Sequence, residues 1–160
     1  LADGTPLREA FPESDWPMTM VAFKSNLQSA YSIASPVLRS IQPDNPVSIN
    51  PEDAAKAGIK SGDKLRIVTP GGSQIATALV REGVSPGVVA IPHGYGHWEL
   101  GARAHEIDGV SQPEIPGLAA GVSLNAIGLQ DPHRGGSATL GDWAIGSAAR
   151  QALPARIERV

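Results

Sequence analysis

A closed or nearly closed β-barrel, mainly β with short helices, is the fold class this sequence predicts. Three observations point to it. The 160 residues include 18 glycines and 14 prolines, so turns are frequent and long helices are not expected. Strand-like runs recur between those turns, with chain reversals about every 8–12 residues. The hydrophobic fraction is 41%, yet there are only 3 Trp, 2 Tyr and 2 Phe, so Val, Ile, Leu and Ala must fill most of a one-domain core. Closing the sheet on itself removes exposed strand edges, which makes a barrel the economical arrangement.

The elements follow in order. Residues 1–17, LADGTPLREAFPESDWP, are polar and proline-bearing and are expected as an extended arm over another surface. They lack the basic start and apolar run of a secretion signal and read as an internal stretch of a longer polypeptide. Residues 18–160 are expected as the barrel domain. MTMVAF at 18–23 is a strand, KSNLQSAYS after it is small and polar, and residues 36–41 form a short helix. Residues 47–49 are a short strand. In NPEDAAKAG, Asn50 is an N-cap, Pro51 suits the first helical turn, and Asp53 stands where an acid can cap free amides. Ala54, Ala55 and Ala57 carry the helix to Gly58, which closes it in the left-handed conformation. KLRIVT at 64–69, a turn at Pro70-Gly71-Gly72 and a return strand at 73–81 make a hairpin. A turn over 83–87 leads into a strand at 88–91. Beyond Gly101 the chain reads as loop, with a short helix at 142–152 and a last strand at 155–160.

Composition excludes several functions. The formal net charge is −3 and no basic run occurs, which argues against nucleic acid as the main partner. With no cysteine, this chain holds no disulfide, thiolate nucleophile or cysteine-bound cluster. No apolar run approaches the roughly 20 residues that span a bilayer, so no direct membrane insertion is expected.

Two stretches concentrate polar chemistry after strands. Lys24, Ser25, Asn26, Gln28, Ser29 and Ser32 offer neutral donors and acceptors with one cation, and read either as a solvated turn or as a ligand-gripping loop. HGYGH at 93–97 raises the question of zinc, because histidines four apart share one face of a helix. Pro92, Gly94 and Gly96 oppose a helix and no third ligand stands nearby, so no metal site is assigned. The glycines instead allow close approach of backbone to a flat ligand, with His93 and Tyr95 as hydrogen-bonding or stacking groups or as structural ones. Trp98 is expected to pack against a neighbouring domain. His105, Glu106 and Asp108 read as a surface loop rather than a catalytic set, Arg134 is a weaker candidate for a phosphate contact, and no residue is assigned a catalytic role.

INPEDAAKAGIKSGDKLRIVTPGGSQIATALVREGVSPGVVAIPHGYGH closely resembles the C-terminal domain of molybdopterin oxidoreductases, the dimethyl-sulfoxide-reductase superfamily. The resemblance is strongest over residues 24–97 and continues through SLNAIGLQDP, whose Asn125 matches the family's asparagine. HGYGHWE followed by GA is most similar to the tetrathionate and arsenate reductase branch. The resemblance implies a six-stranded double-psi β-barrel of the aspartate-decarboxylase-like type that binds a molybdopterin guanine dinucleotide. It implies three cofactor loops: Lys24, Ser25, Asn26, Gln28 and Ser32 in the first, His93, Gly94, Tyr95 and His97 in the second, and Asn125 in the third. It further implies that the molybdenum ligand and the cluster cysteines lie in other domains of the same catalytic subunit, so that this portion is not catalytic alone. An electron-transfer subunit with iron–sulfur clusters, a role in anaerobic respiration, and a location in the bacterial periplasm or on the outer face of the cytoplasmic membrane belong to the same expectation. The alternative is a barrel of the same shape that binds substrate or protein without a redox cofactor.

Overall fold

A computed structural model of the chain describes residues 1–29, 32, 35–97, 101–134 and 151–160. In chain order its elements are α1 (Leu7–Ala10), β1 (Met18–Phe23), α2 (Pro36–Ile41), β2 (Val47–Ile49), α3 (Pro51–Ala57), β3 (Lys64–Thr69), β4 (Gly72–Val80), β5 (Val88–Pro92), β6 (His105–Ile107), β7 (Val110–Gln112) and β8 (Leu153–Arg159). Three short 3-10 turns, Pro116–Ala119, Leu124–Ile127 and Pro132–Arg134, lie between β7 and β8. The helix expected at 142–152 falls mostly outside the described residues.

Six strands close into a barrel in the order β1-β5-β2-β4-β3-β8, the double-psi arrangement. Alternation decides which side chains enter it: Met18 and Met20, Leu65 and Ile67, Val89 and Ile91, Leu153 and Ala155 are buried at every second position. Two neighbouring pairs are parallel, β1 with β5 and β2 with β4, while β2 runs antiparallel to β5. The C-terminal ends of β1 and β5 therefore emerge together at one end of the barrel. The C-terminal end of β2, which leads into α3, lies at the other.

Asn50 caps α3 by accepting the Glu52 N–H at 2.9 Å, and Gly58 closes it at φ 65°. Asp53 does not cap its own helix. Its carboxylate accepts the Gly87 N–H at 2.6 Å and faces Lys56, which ties α3 to the turn before β5. The hairpin of β3 and β4 closes at Thr69↔Gly72, and its turn is pressed onto the returning chain. The Thr69 hydroxyl donates to the Ile127 carbonyl at 2.6 Å, and a Cβ placed on Gly71 would overlap the Gly128 carbonyl oxygen. Segment 122–129, expected as loop, buries Val122, Leu124, Ile127 and Leu129 in the same core as the strands.

The arm expected to be extended over residues 1–17 instead contains the single helical turn α1, and it lies on its own barrel. Leu1, Leu7 and Phe11 pack against the core. Asp131 accepts N–H groups from Ala2 at 2.7 Å and His133 at 2.9 Å, and the His133 imidazole stands 3.2 Å from the Asp3 carboxylate. Arg8 donates to the Trp16 carbonyl and the Thr19 hydroxyl, and Arg156 lies 4.8 Å over the Trp16 ring. Burial pushes the Asp131 carboxyl up, but the two N–H donors and the facing cations outweigh it and hold the group below its ordinary value. Asp3 is lowered as well, by its hydrogen bonds from Thr5 and by His133.

Both carboxyls are depressed in the fold, so their contribution is complete above about pH 4 and is lost as pH falls through the lowered values. Hydrogen exchange over residues 2–11 should accelerate below that pH before the barrel amides do, and Asp131→Ala should produce the same local acceleration at neutral pH. Gly71→Ala should destabilise the chain by about 2–4 kcal/mol in urea unfolding, because two backbone segments must separate to admit one methyl group.

Candidate functional site

Parallel pairing of β1 and β5 sets the register Phe23↔Pro92, so residues 24–29 and 93–97 leave the barrel side by side. Pairing runs one step past the proline, since the His93 N–H donates to the Phe23 carbonyl at 2.9 Å. Successive residues of a strand address opposite neighbours, so the Pro92 nitrogen and carbonyl face the β2 side. The missing N–H is harmless there because β2 pairs no further than Ser48↔Ala90.

The carbonyl of Pro92 is taken up by a side chain instead. Asn45, 1% exposed, donates from Nδ2 to the Pro92 carbonyl at 2.7 Å and to the Val122 carbonyl at 3.0 Å, and its Oδ1 accepts the Val122 N–H at 2.6 Å. Gln74 on β4 grips the next residue in the same manner: Oε1 accepts the Ser123 N–H and Nε2 donates to the Ser123 carbonyl, both at 3.0 Å. These clasps seat the third expected loop beside the second. A Cβ on Gly96 would strike the Ser123 nitrogen, and one on Gly121 would strike the Asn45 side chain. Neither Asn45 nor Gln74 was marked by the sequence. Asn45 sits in PDNP and looks like an ordinary turn residue.

The three segments thus meet at one barrel end. Gly94, at φ 97°, leaves its α-carbon face against Gln28 and Ser29, with a hypothetical Cβ 3.6 Å from the Gln28 Cβ. Gly96, at φ 70°, rests on Val122 and Ser123, two residues before the exposed Asn125. His93 and His97 are half-buried on either side. Tyr95 turns inward. Its ring is 1% exposed and its hydroxyl donates to the Gln42 carbonyl at 3.2 Å, so it anchors the loop from below, and burial pushes the phenol above its ordinary value.

In the first loop the hydroxyls hold the turn. Ser25 Oγ accepts N–H groups from Leu27 at 3.2 Å and Gln28 at 2.8 Å, and Ser32 Oγ accepts the Ser29 N–H at 2.8 Å. Lys24 and Asn26 are exposed. Gln28 is 1% exposed, and neither its Oε1 nor its Nε2 has a hydrogen-bond partner among the described residues. Arg39 on α2 is buried and donates to the Gly117 carbonyl at 3.3 Å, joining the far side of this loop region to the Pro116–Ala119 turn.

Other candidates lie elsewhere or are simpler than they looked. His105, Glu106 and Asp108 belong to the exposed β6–β7 hairpin, whose Asp108 and Gly109 both have positive φ, 49° and 78°. Among the described residues no group of three or more His, Cys, Asp or Glu comes together where a metal ion could be held, and no helix is long and apolar enough to cross a membrane. A hollow of about 470 Å³ lined by Pro51, Ala54, Gly58, Ile59 and Val80 borders α3, at the barrel end opposite the three loops. Trp98 lies outside the described residues.

Comparison with known proteins places this geometry. The chain is 45% identical to a tetrathionate reductase chain from Salmonella typhimurium over 160 residues, all of this chain and 16% of that protein. It is 46% identical over 96 residues to a tetrathionate reductase chain from Archaeoglobus fulgidus, covering 59% of this chain and 8% of that one. With a selenate reductase chain from Mesobacillus selenatarsenatis it shares 36% identity over 136 residues, 76% of this chain and 13% of the relative. The chain thus spans less than a fifth of the length of these relatives. Acetylene hydratase from Pelobacter acetylenicus has the same fold, with a TM-score of 0.65 at 20% identity over 98% of this chain and 20% of that one. Residues 21–132, which contain all three loops, match the Molydopterin dinucleotide binding domain, and it is to this family of cofactor-binding barrels that the chain belongs.

Proposed function

We propose that the end of the barrel built from Lys24, Ser25, Asn26, Gln28, Ser32, His93, Gly94, His97 and Asn125, with Tyr95 beneath it, binds the molybdopterin guanine dinucleotide of a tetrathionate-reductase-like catalytic subunit. One observation carries the assignment: β1 and β5 are parallel neighbours, so the two polar loops that follow them open at the same end and meet across Gly94. The residues fit such a group. A pyranopterin dinucleotide presents ring amides, ribose hydroxyls and a pyrophosphate, which call for neutral donors and acceptors with an occasional cation. Gly94 lets the second loop pack directly on the first, Gln28 supplies an amide without a partner among the described residues, and Lys24 a cation at the rim.

When bound, the group supplies the redox chemistry through its metal. This chain's residues bind and orient it. His93 and His97 flank the glycines, Gly94 lets the backbone come close, and the clasps from Asn45 and Gln74 fix the spacing between the second and third loops. The family match does not favour the alternative of a cofactor-free binding barrel. Identity over the whole chain supports tetrathionate as the substrate class of the parent enzyme. We assign that enzyme to the bacterial periplasm or the outer face of the cytoplasmic membrane. Its partners are the remaining domains of the same subunit, together with an iron–sulfur protein. A twin-arginine signal and an N-terminal cysteine cluster in the parent gene are the expected findings, and a gene with neither would count against this assignment.

The two glycines give a test in the parent enzyme. Gly94→Ala should change the unfolding free energy by only about 1–2 kcal/mol, from backbone strain at positive φ. It should nevertheless lower the guanosine monophosphate released per enzyme molecule on acid hydrolysis by more than half. Gly96→Ala should lower stability by about 2–4 kcal/mol, because its methyl group meets backbone. Full nucleotide content in a folded Gly94→Ala enzyme would refute the assignment.

A further inference from the structure

Asn45, Gln74 and Gln28 are primary amides at this end of the barrel, and two of them do the same thing. Asn45 pairs its Oδ1 and Nδ2 with the N–H and C=O of Val122, and Gln74 pairs its Oε1 and Nε2 with the N–H and C=O of Ser123. In each case one flat amide addresses a donor and an acceptor side by side. The third, Gln28, is 1% exposed with both polar atoms unpartnered among the described residues, and it lies against Gly94, where no side chain stands between the first two loops. A buried amide without partners is unfavourable, and native structures seldom keep one without a reason.

Resting on the cofactor-binding reading above, we propose that Gln28 pairs with the lactam edge of a bicyclic ring, donating from Nε2 to its C=O and accepting its N–H at Oε1. Pyrophosphate is a poor match. It offers acceptors only, so Nε2 would be satisfied while Oε1 faced anionic oxygen. Ribose hydroxyls could satisfy either atom but do not impose the paired donor–acceptor geometry. Ring entry exchanges an unpaired, enclosed amide for a paired one. Gln28 thereby discriminates the ring, while Lys24 and the backbone amides are left to meet charge. Both the pterin and the guanine of a molybdopterin guanine dinucleotide carry a lactam edge, and the two sources can be separated.

The side-chain NH₂ resonances of Gln28, assigned in the wild-type chain, provide the readout. They should shift on titration with guanosine or with pterin-6-carboxylate, and not with pyrophosphate. A response to guanosine alone assigns the guanine end, and a response to pterin alone assigns the pterin end. Gln28→Leu, which keeps the bulk and removes the amide, should weaken the responding ring at least about tenfold, as expected for losing a paired hydrogen-bond contact. It should leave the pyrophosphate response of other loop amides unchanged, and the ligand-free melting temperature should not fall. Gln28 signals that move with pyrophosphate, or with neither ring while other loop amides respond to the rings, overturn the role of Gln28 and leave the domain assignment standing. So does a Gln28→Leu chain that binds the ring as wild type does. If no loop amide responds to either ring or to pyrophosphate, both readings fall. Should Gln28→Leu not fold, the wild-type titration decides by itself.

Discussion

Asn45 holds together the part of the molecule on which the rest of the site depends. β5 must end at Pro92 for its loop to turn outward, and the chain must come back some thirty residues later to cover the same barrel end. Among the described residues no strand ladder joins those two places. One buried carboxamide does, through three hydrogen bonds of 2.6–3.0 Å to Pro92 and Val122. If it were removed, two carbonyls and an N–H would be left buried without partners, at on the order of 1–3 kcal/mol for each group left unsatisfied. Gln74 repeats the device at Ser123, and the Thr69 hydroxyl adds a further tie to Ile127. The returning segment is thereby held like a strand while its backbone remains free to turn.

Parallel pairing supplies the other constraint. A hairpin places the loops of neighbouring strands at opposite barrel ends in alternation, whereas β1 and β5, running the same way, deliver two polar loops at one end. The glycines then decide how closely the loops approach. Gly94 at φ 97° packs on Gln28 and Ser29 at ordinary contact distance, and Gly96 at φ 70° closes against Ser123. One therefore has room for a methyl group in ordinary contact and the other does not, although the sequence presents them as equivalents two residues apart.

Much of the barrel was legible because its signals are local. β1, α2, β2, α3 and β3 lie where alternation, the Asn-Pro cap and Gly58 place them, and the Gly-rich turn sets the β3–β4 hairpin within a residue. Long-range choices were not legible. Asp53 looks like a helix cap but accepts from Gly87, 34 residues away, which no local pattern encodes. Tyr95 looks like a ligand-facing ring until the fold buries it over Gln42. The short β6–β7 hairpin did carry a signal, Asp108-Gly109 between apolar Ile107 and Val110, and the loop-like composition around it masked that signal. Gln28 could be named from sequence as a polar loop residue, but only the structure shows it unpartnered, among the described residues, beside serines whose hydroxyls hold the turn.

The chemistry of the ties divides the molecule into two parts that respond differently to their surroundings. The arm is fastened by ionisable groups, with Asp131 and Asp3 against His133, so protons and salt can loosen it. Apart from Arg39, which reaches the Gly117 carbonyl on the far side, the loop end is fastened by the carboxamides of Asn45 and Gln74 and by the hydroxyls of Thr69, Ser25 and Ser32, none of which titrates near neutrality. A site proposed to receive a polyanionic dinucleotide gains from this arrangement. These ties carry no charge that the ligand would perturb, and the ligand's phosphates need not compete with ion pairs among them. Neutral amides also keep their donor–acceptor direction whatever the pH. The geometry that would orient a ring is therefore fixed by groups of the same kind as the one proposed to read it.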